Sequence, residues 1–272
     1  MSRLAGVGLL TGWGEGVAAL PENAAAAAAG RALVALERPR PEGDRFRRAT
    51  RECVLAVAAV EAMLDDAALC RGDIGGPETG LVYVTATAYG AANRTFIDGA
   101  SAGTIHFPYT APSAVPAEVA IEFSLRGPYA ILVGGATTAI DAFWSAATLL
   151  ARGRCTRALV LAVETFAECA DLYRRARWLA PRPLVEAAAC ALLVADGDGA
   201  ERTVITGPSR LEILAAQRAG ETLACAPLIA AALARADGND RPTLTGEWRG
   251  RRAALSFTGS WDRQAASRAT LE

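Results

Sequence analysis

One turn in this chain has the residue pattern of a chemical site. The apolar run Tyr129–Val133 breaks into Gly134 and Gly135, and then Ala136, Thr137 and Thr138 open a long apolar stretch. A strand, tight turn and buried helix in that order place one side chain at a helix N-terminus. Backbone N–H groups and the helix dipole stabilise an anion there, and a thiolate nucleophile would have a lowered pKa. A nucleotide-phosphate loop is the rival reading, although the turn holds neither GxGxxG nor a GKS or GKT triplet. A plain strand-to-helix connection is the third. Thr137 could act as a nucleophile only with a base to remove its proton, and Glu164 and Glu221 are the candidates. Otherwise its hydroxyl caps the helix. Cys190 and Cys225 lie in Ala- and Leu-rich runs where a thiol stays neutral and inert. His106 is the single histidine, and nothing in the sequence pairs with it.

Composition narrows the chemistry further. The chain has 272 residues, 52% of them hydrophobic, and a formal net charge of −1. That is ample for a buried core and gives no electrostatic basis for nucleic-acid binding. Every basic residue is Arg, so Schiff-base and P-loop lysines are excluded. The six cysteines form no CxxC pair, which with one histidine argues against a zinc site. They are expected in apolar helix or strand patterns, as small core residues. No cofactor is expected. No signal peptide and no bilayer-spanning run is evident, so the expected location is the cytoplasm.

The elements that would position the turn alternate. Residues 3–10, 81–85, 129–133, 158–164, 187–195 and 252–257 read as strands, those at 81–85 and 129–133 as buried on both faces. Apolar residues at Phe46, Ala49, Cys53, Val57, Val60 and Leu64 mark a helix. Further helices are expected in the latter part of 112–123, at 137–151 and at 223–235, with 89–110 mostly loop. The alternation favours an α/β fold with a largely parallel central sheet sandwiched by helices, in one domain.

Taken in order, these segments resemble a β-ketoacyl synthase of the thiolase superfamily. Residues 6–14 match that family's opening strand and glycine turn, Phe107-Pro108-Tyr109-Thr110 its FPxT segment, and Ser124-Leu125-Arg126-Gly127-Pro128 its GLRGP. Residues 158–164 match its VxxxE strand and 186–194 its EGAAALVL strand. The resemblance implies a truncated thiolase-like fold: residues 1–200 are like the N-terminal half, and 201–272 are a shortened remnant of the C-terminal half.

The departures matter more. The family's cysteine nucleophile falls nine residues after the glycine of the Gly-Pro pair, and that position here is Ala136. An alanine methyl forms no thioester. The family's two catalytic histidines follow the cysteine, whereas His106 precedes Ala136. Glu221 stands where the family's GHTxxAAG motif has its histidine, and residues 256–260 resemble a worn GFGG turn. The resemblance therefore implies a non-catalytic chain-length-factor subunit, as in aryl-polyene and related highly reducing type II polyketide systems. Its expected partners are a full-length active β-ketoacyl synthase and, through the complex, an acyl carrier protein. The implied tunnel residues are Thr87, Ala88, Tyr89 and Phe107. The implied partner strand is Tyr129, Ala130, Ile131, Leu132 and Val133. Two other functions stay open. One is an independent cyclase or hydrolase on the same scaffold. The other is a structural subunit that docks an acyl carrier through Arg45, Arg47, Arg48 and Arg51, or Arg174, Arg175 and Arg177.

Overall fold

The computed structural model describes residues 2–257 except 38, 40–45, 47–48, 100–103, 168–169, 172–181, 196–199, 204 and 240. Its centre is a six-stranded sheet in the order β2-β1-β8-β6-β4-β5. The strands are β1 (Arg3–Thr11), β2 (Gly14–Glu15), β4 (Thr79–Thr85), β5 (Tyr129–Val133), β6 (Arg157–Glu164) and β8 (Ala187–Val194). β4 pairs in parallel with both β5 and β6, whereas β8 runs antiparallel between β6 and β1. Thus β1, β4, β5 and β6 share one direction, and the expected largely parallel sheet is present. β3 (Leu33–Val34) and β7 (Leu184–Val185) form a separate parallel pair.

Residue alternation along the strands builds two cores. Leu81, Tyr83, Leu159, Leu161 and Cys190 face α2 (Arg51–Ala67) and α5 (Ala114–Glu122). Val82, Val84, Val160, Ala162 and Ala191 face α6 (Ala136–Ala151) and α8 (Ala226–Ala236). Gly8 explains how close α2 can lie: a methyl group there would overlap the backbone of Ala59 and Met63. Three antiparallel strands, β9 (Ala200–Arg202), β10 (Thr243–Trp248) and β11 (Arg251–Phe257), cover the outer side of α6 in the order β10-β11-β9. Phe143 of α6 meets Phe257 of β11 edge-on at 6.0 Å. α6 is therefore held between two sheets, and α7 (Arg210–Ala219) packs beside α8.

Several expectations need correction. Residues 129–133 form the edge strand of the sheet rather than a strand buried on both faces; Tyr129 is 56% and Val133 55% exposed. A continuous apolar run cannot by itself separate a buried strand from an edge that a partner covers. Residues 89–110 are not mostly loop. They hold α4 (Gly90–Ile97) and a 3₁₀ turn at Thr104–Thr110. The exposed Phe96 and Ile97 spoil the apolar stripe that would have marked α4. The helix expected from Phe46 begins at Arg51, because Thr50 occupies the N-cap position and Phe46 and Ala49 are buried in the segment leading to it. Cys70 is exposed at the start of α3 (Arg71–Ile74), not in an apolar face.

Candidate functional site

Ala136 is the first residue of α6, at the carboxyl end of β5, and is 8% exposed. The expected strand, tight turn and helix are therefore formed, with a methyl group at the start of the helix. β10 crosses directly over it. A methyl group on Gly246 would lie 2.8 Å from Ala136 Cβ, and one on Gly135 would overlap the Trp248 ring. Only glycine at both positions lets strand and turn approach this closely. The first turn of α6 carries no acidic residue, and its N-cap is Gly135. Thr137 sits one residue inside the helix, so the expected capping role falls to a residue without a side chain.

A cavity of about 800 Å³ opens above the turn. Ala136, Thr87, Leu33, Ile213, Glu221 and Trp248 are among the residues that line it. Its size is that of a small-molecule pocket. At its rim Glu212 accepts hydrogen bonds from Thr245 Oγ1 at 2.5 Å and from Arg252 at 2.7 Å.

Two buried carboxylates, Glu186 and Glu164, and the half-buried Glu221 have distinct tasks. Glu186 on the turn before β8 is paired with Arg51 through two 2.7 Å contacts. It also accepts the N–H groups of Leu36 (2.8 Å), Phe166 (2.5 Å) and Ala167 (2.6 Å). Burial pushes its pKa upward, but Arg51 and the backbone donors outweigh that and hold it below the usual carboxylate value. Glu164 ends β6 and is fully buried. Its Oε1 accepts from Ala86 N (2.7 Å) and Ala224 N (3.3 Å), and its Oε2 from Thr87 N (3.0 Å) and Thr87 Oγ1 (2.6 Å). Burial raises its pKa to about 7 despite those donors. Glu221 accepts from Leu223 N at 3.1 Å; burial raises its pKa, while that hydrogen bond and Arg182 oppose the rise. No hydrogen bond links Thr137 to Glu164 or Glu221 among the described residues, so the three do not form a nucleophile–base array. Burial pushes the thiol of Cys190 to a pKa above the range of a reactive cysteine and raises that of Cys225 well above its ordinary value.

Glu164 gives a stability signature. A carboxyl group that is easier to protonate when folded contributes fully below its unfolded value of 4.5. That contribution is lost as pH rises toward about 7. Denaturant unfolding of the wild type should therefore show stability falling over that window more steeply than in Glu164→Gln. Parallel slopes in the two proteins would contradict this assignment.

The remaining sequence-derived positions separate. Thr87 is at the cavity and tied to Glu164, Ala88 is buried against the α2 side, and Tyr89 is half-buried at the start of α4. Phe107 is 62% exposed, with its ring 5.7 Å from that of Phe96. Tyr129, Ala130, Ile131, Leu132 and Val133 line the free sheet edge. Arg51 is committed to Glu186 and is no part of a solvated basic patch. Arg45, Arg47, Arg48, Arg174, Arg175, Arg177, the His106 side chain and residues 258–260 lie outside the described residues. Among the described residues no cluster of His, Cys, Asp and Glu could hold a metal, and no helix is long and apolar enough to cross a membrane.

Sequence reasoning missed Gly246 and Trp248. The only signal was Arg249-Gly250 between two short runs; in the structure it is a two-residue hairpin loop in which both residues have positive φ.

The family model for the N-terminal domain of β-ketoacyl synthases matches residues 40–199. No curated protein matches the sequence. Among solved structures, the chain is similar to the ishigamide ketosynthase/chain length factor, with a TM-score of 0.63 and 16% identity over 94% of this chain and 98% of that one. It is similar to AntDE:AntF, described as a type II polyketide synthase acyl-carrier protein in complex with its ketosynthase, with a TM-score of 0.72 and 13% identity over 96% and 99% of the two chains. It also resembles the ketosynthase ApeO in complex with its chain length factor ApeC from Xenorhabdus doucetiae, with a TM-score of 0.57 and 15% identity over 94% and 99%. At these identities the likeness establishes a thiolase-like ketosynthase fold.

Proposed function

Since the chain belongs to the β-ketoacyl synthase family, we propose that it is a non-catalytic, chain-length-factor subunit that pairs with a full-length active β-ketoacyl synthase. The observation that carries this reading is Ala136. It holds the helix-terminal position where the family resemblance places the nucleophile, and Gly246 and Trp248 pack against the same turn. With no thiol there and no histidine after it in the sequence, neither acyl transfer nor decarboxylation has its chemical groups. Likeness to ketosynthase and chain-length-factor assemblies supports the same reading.

In this reading residues 1–272 are one ketosynthase-like domain, with 201–272 corresponding to the C-terminal half. Its place is the cytoplasm, in polyketide or fatty-acid-type biosynthesis such as that of aryl polyenes, and an acyl carrier protein meets it through the complex. β5 pairs with the partner across its free edge. Thr85 stands opposite Val133 in the β4–β5 register, which supports assigning the turn at Thr87, Ala88 and Tyr89 to the end of the partner's acyl tunnel. Phe107 adds apolar surface next to it. An overfilled apolar pocket costs about 1–3 kcal/mol, enough to set a length limit.

The test is product length. In the complex with its ketosynthase, Tyr89→Ala should shift the products to longer chains while turnover continues, as read by mass spectrometry. Unchanged lengths would remove Tyr89 from the tunnel floor.

A further inference from the structure

We propose that Glu164 is a positioning residue that locks the turn after β4 to the turn before α8, so that both segments bordering the cavity keep one geometry and open only together. The two segments are far apart in sequence: Ala86 and Thr87 follow β4, whereas Ala224 belongs to the short 3₁₀ turn Leu223–Cys225. A single carboxylate serves both. Oε1 bridges them by accepting from Ala86 N and Ala224 N, and Oε2 takes both donors of Thr87. Thr85 completes the turn. Its Oγ1 donates to Val163 O at 2.8 Å and accepts from Ala88 N at 2.9 Å. Both turns reach the cavity, through Thr87 on one side and Leu223 on the other. Glu221 joins the second turn through its bond to Leu223 N.

The physical basis is the cost of an orphaned donor. Glu164 and Ala224 are fully buried, so water does not readily replace the acceptor on the Ala224 side, while the donors of Ala86 and Thr87 are half-buried. Withdrawing the carboxylate frees donors on both turns at once, which a bond internal to either turn would not do. Tyr89 follows this turn directly. The consequence for product length rests on the chain-length-factor reading, whereas the coupling itself does not.

Hydrogen exchange on the full chain alone tests the coupling. In Glu164→Ala, which removes both oxygens, the amides of Ala86, Thr87 and Ala224 should each lose protection by about tenfold or more, in one correlated step. Thr87→Val removes only one arm and is milder should Glu164→Ala fold poorly. It should still loosen Ala224, a residue it does not touch. Wild-type protection in these variants, or a loss confined to one turn, would overturn the proposal. This experiment needs no partner, so its failure would leave the chain-length-factor reading standing. With the ketosynthase bound, Glu164→Ala should broaden the product-length distribution without weakening the complex. An unbroadened distribution would overturn the role assigned to Glu164 at the tunnel.

Discussion

Val133→Pro should weaken association with the partner ketosynthase by about 100-fold while leaving this chain folded. The reasoning starts from the β4–β5 ladder. β5 is the last strand of the sheet, and in the parallel register Gly134 N donates to Thr85 O. Alternation along a strand then turns the N–H of Val133 away from β4, toward the free edge. Proline removes that donor and places its ring where a neighbouring strand would lie, yet edge strands tolerate it. Val133 is more than half exposed, so little core packing is lost. Val133→Ala keeps the N–H and should bind nearly as well as wild type. Titration calorimetry on both variants, with thermal unfolding as the folding control, separates backbone pairing from side-chain contact. Equal binding by the two would mean that the edge is not the joint.

The largest stability effect is expected at Arg51. Arg51→Met should lower stability by about 3–5 kcal/mol, because it strands a buried carboxylate. For a chain of this size that is a fall of roughly 10 °C in the thermal midpoint. Glu186 has no exposed surface and holds two backbone segments, one through Leu36 and the other through the adjacent Phe166 and Ala167, in addition to Arg51. The acid limb gives a second readout. Glu186 has a lowered folded pKa, so its contribution is present above the unfolded value and lost as pH falls through the folded one. In Arg51→Met that acid-side loss should shrink, since the charge that held the carboxyl ionised is gone. The double variant Arg51→Met with Glu186→Gln should recover part of the stability. A single Arg51→Met variant as stable as wild type would place the holding force in the backbone donors alone.

The fold was readable where pattern and burial agree. β6, β8 and α6 are long apolar segments bounded by turn residues, and the sheet buries them as their composition demands. The turn at Gly134, Gly135 and Ala136 was readable for the same reason. What composition could not supply was spatial order. β5 reads as buried, yet it lies at an edge, because an apolar run does not record which strand lies at the end of the sheet. The contacts of Glu164 and Glu186 were equally hidden. Each carboxylate reaches segments distant in sequence, and no local spacing encodes that. β10 was missed because its short alternating run is interrupted by Gly246, the residue that lets it pack against Ala136.

The most direct measurement is intact-protein mass on the complex, after co-expression with the ketosynthase and exposure to acylated carrier protein. The expected result is a one-to-one complex in which the ketosynthase alone gains acyl mass and this chain remains unmodified. An acyl adduct on this chain, at Thr137 above all, or a well-behaved monomer that ignores the ketosynthase, would contradict the account.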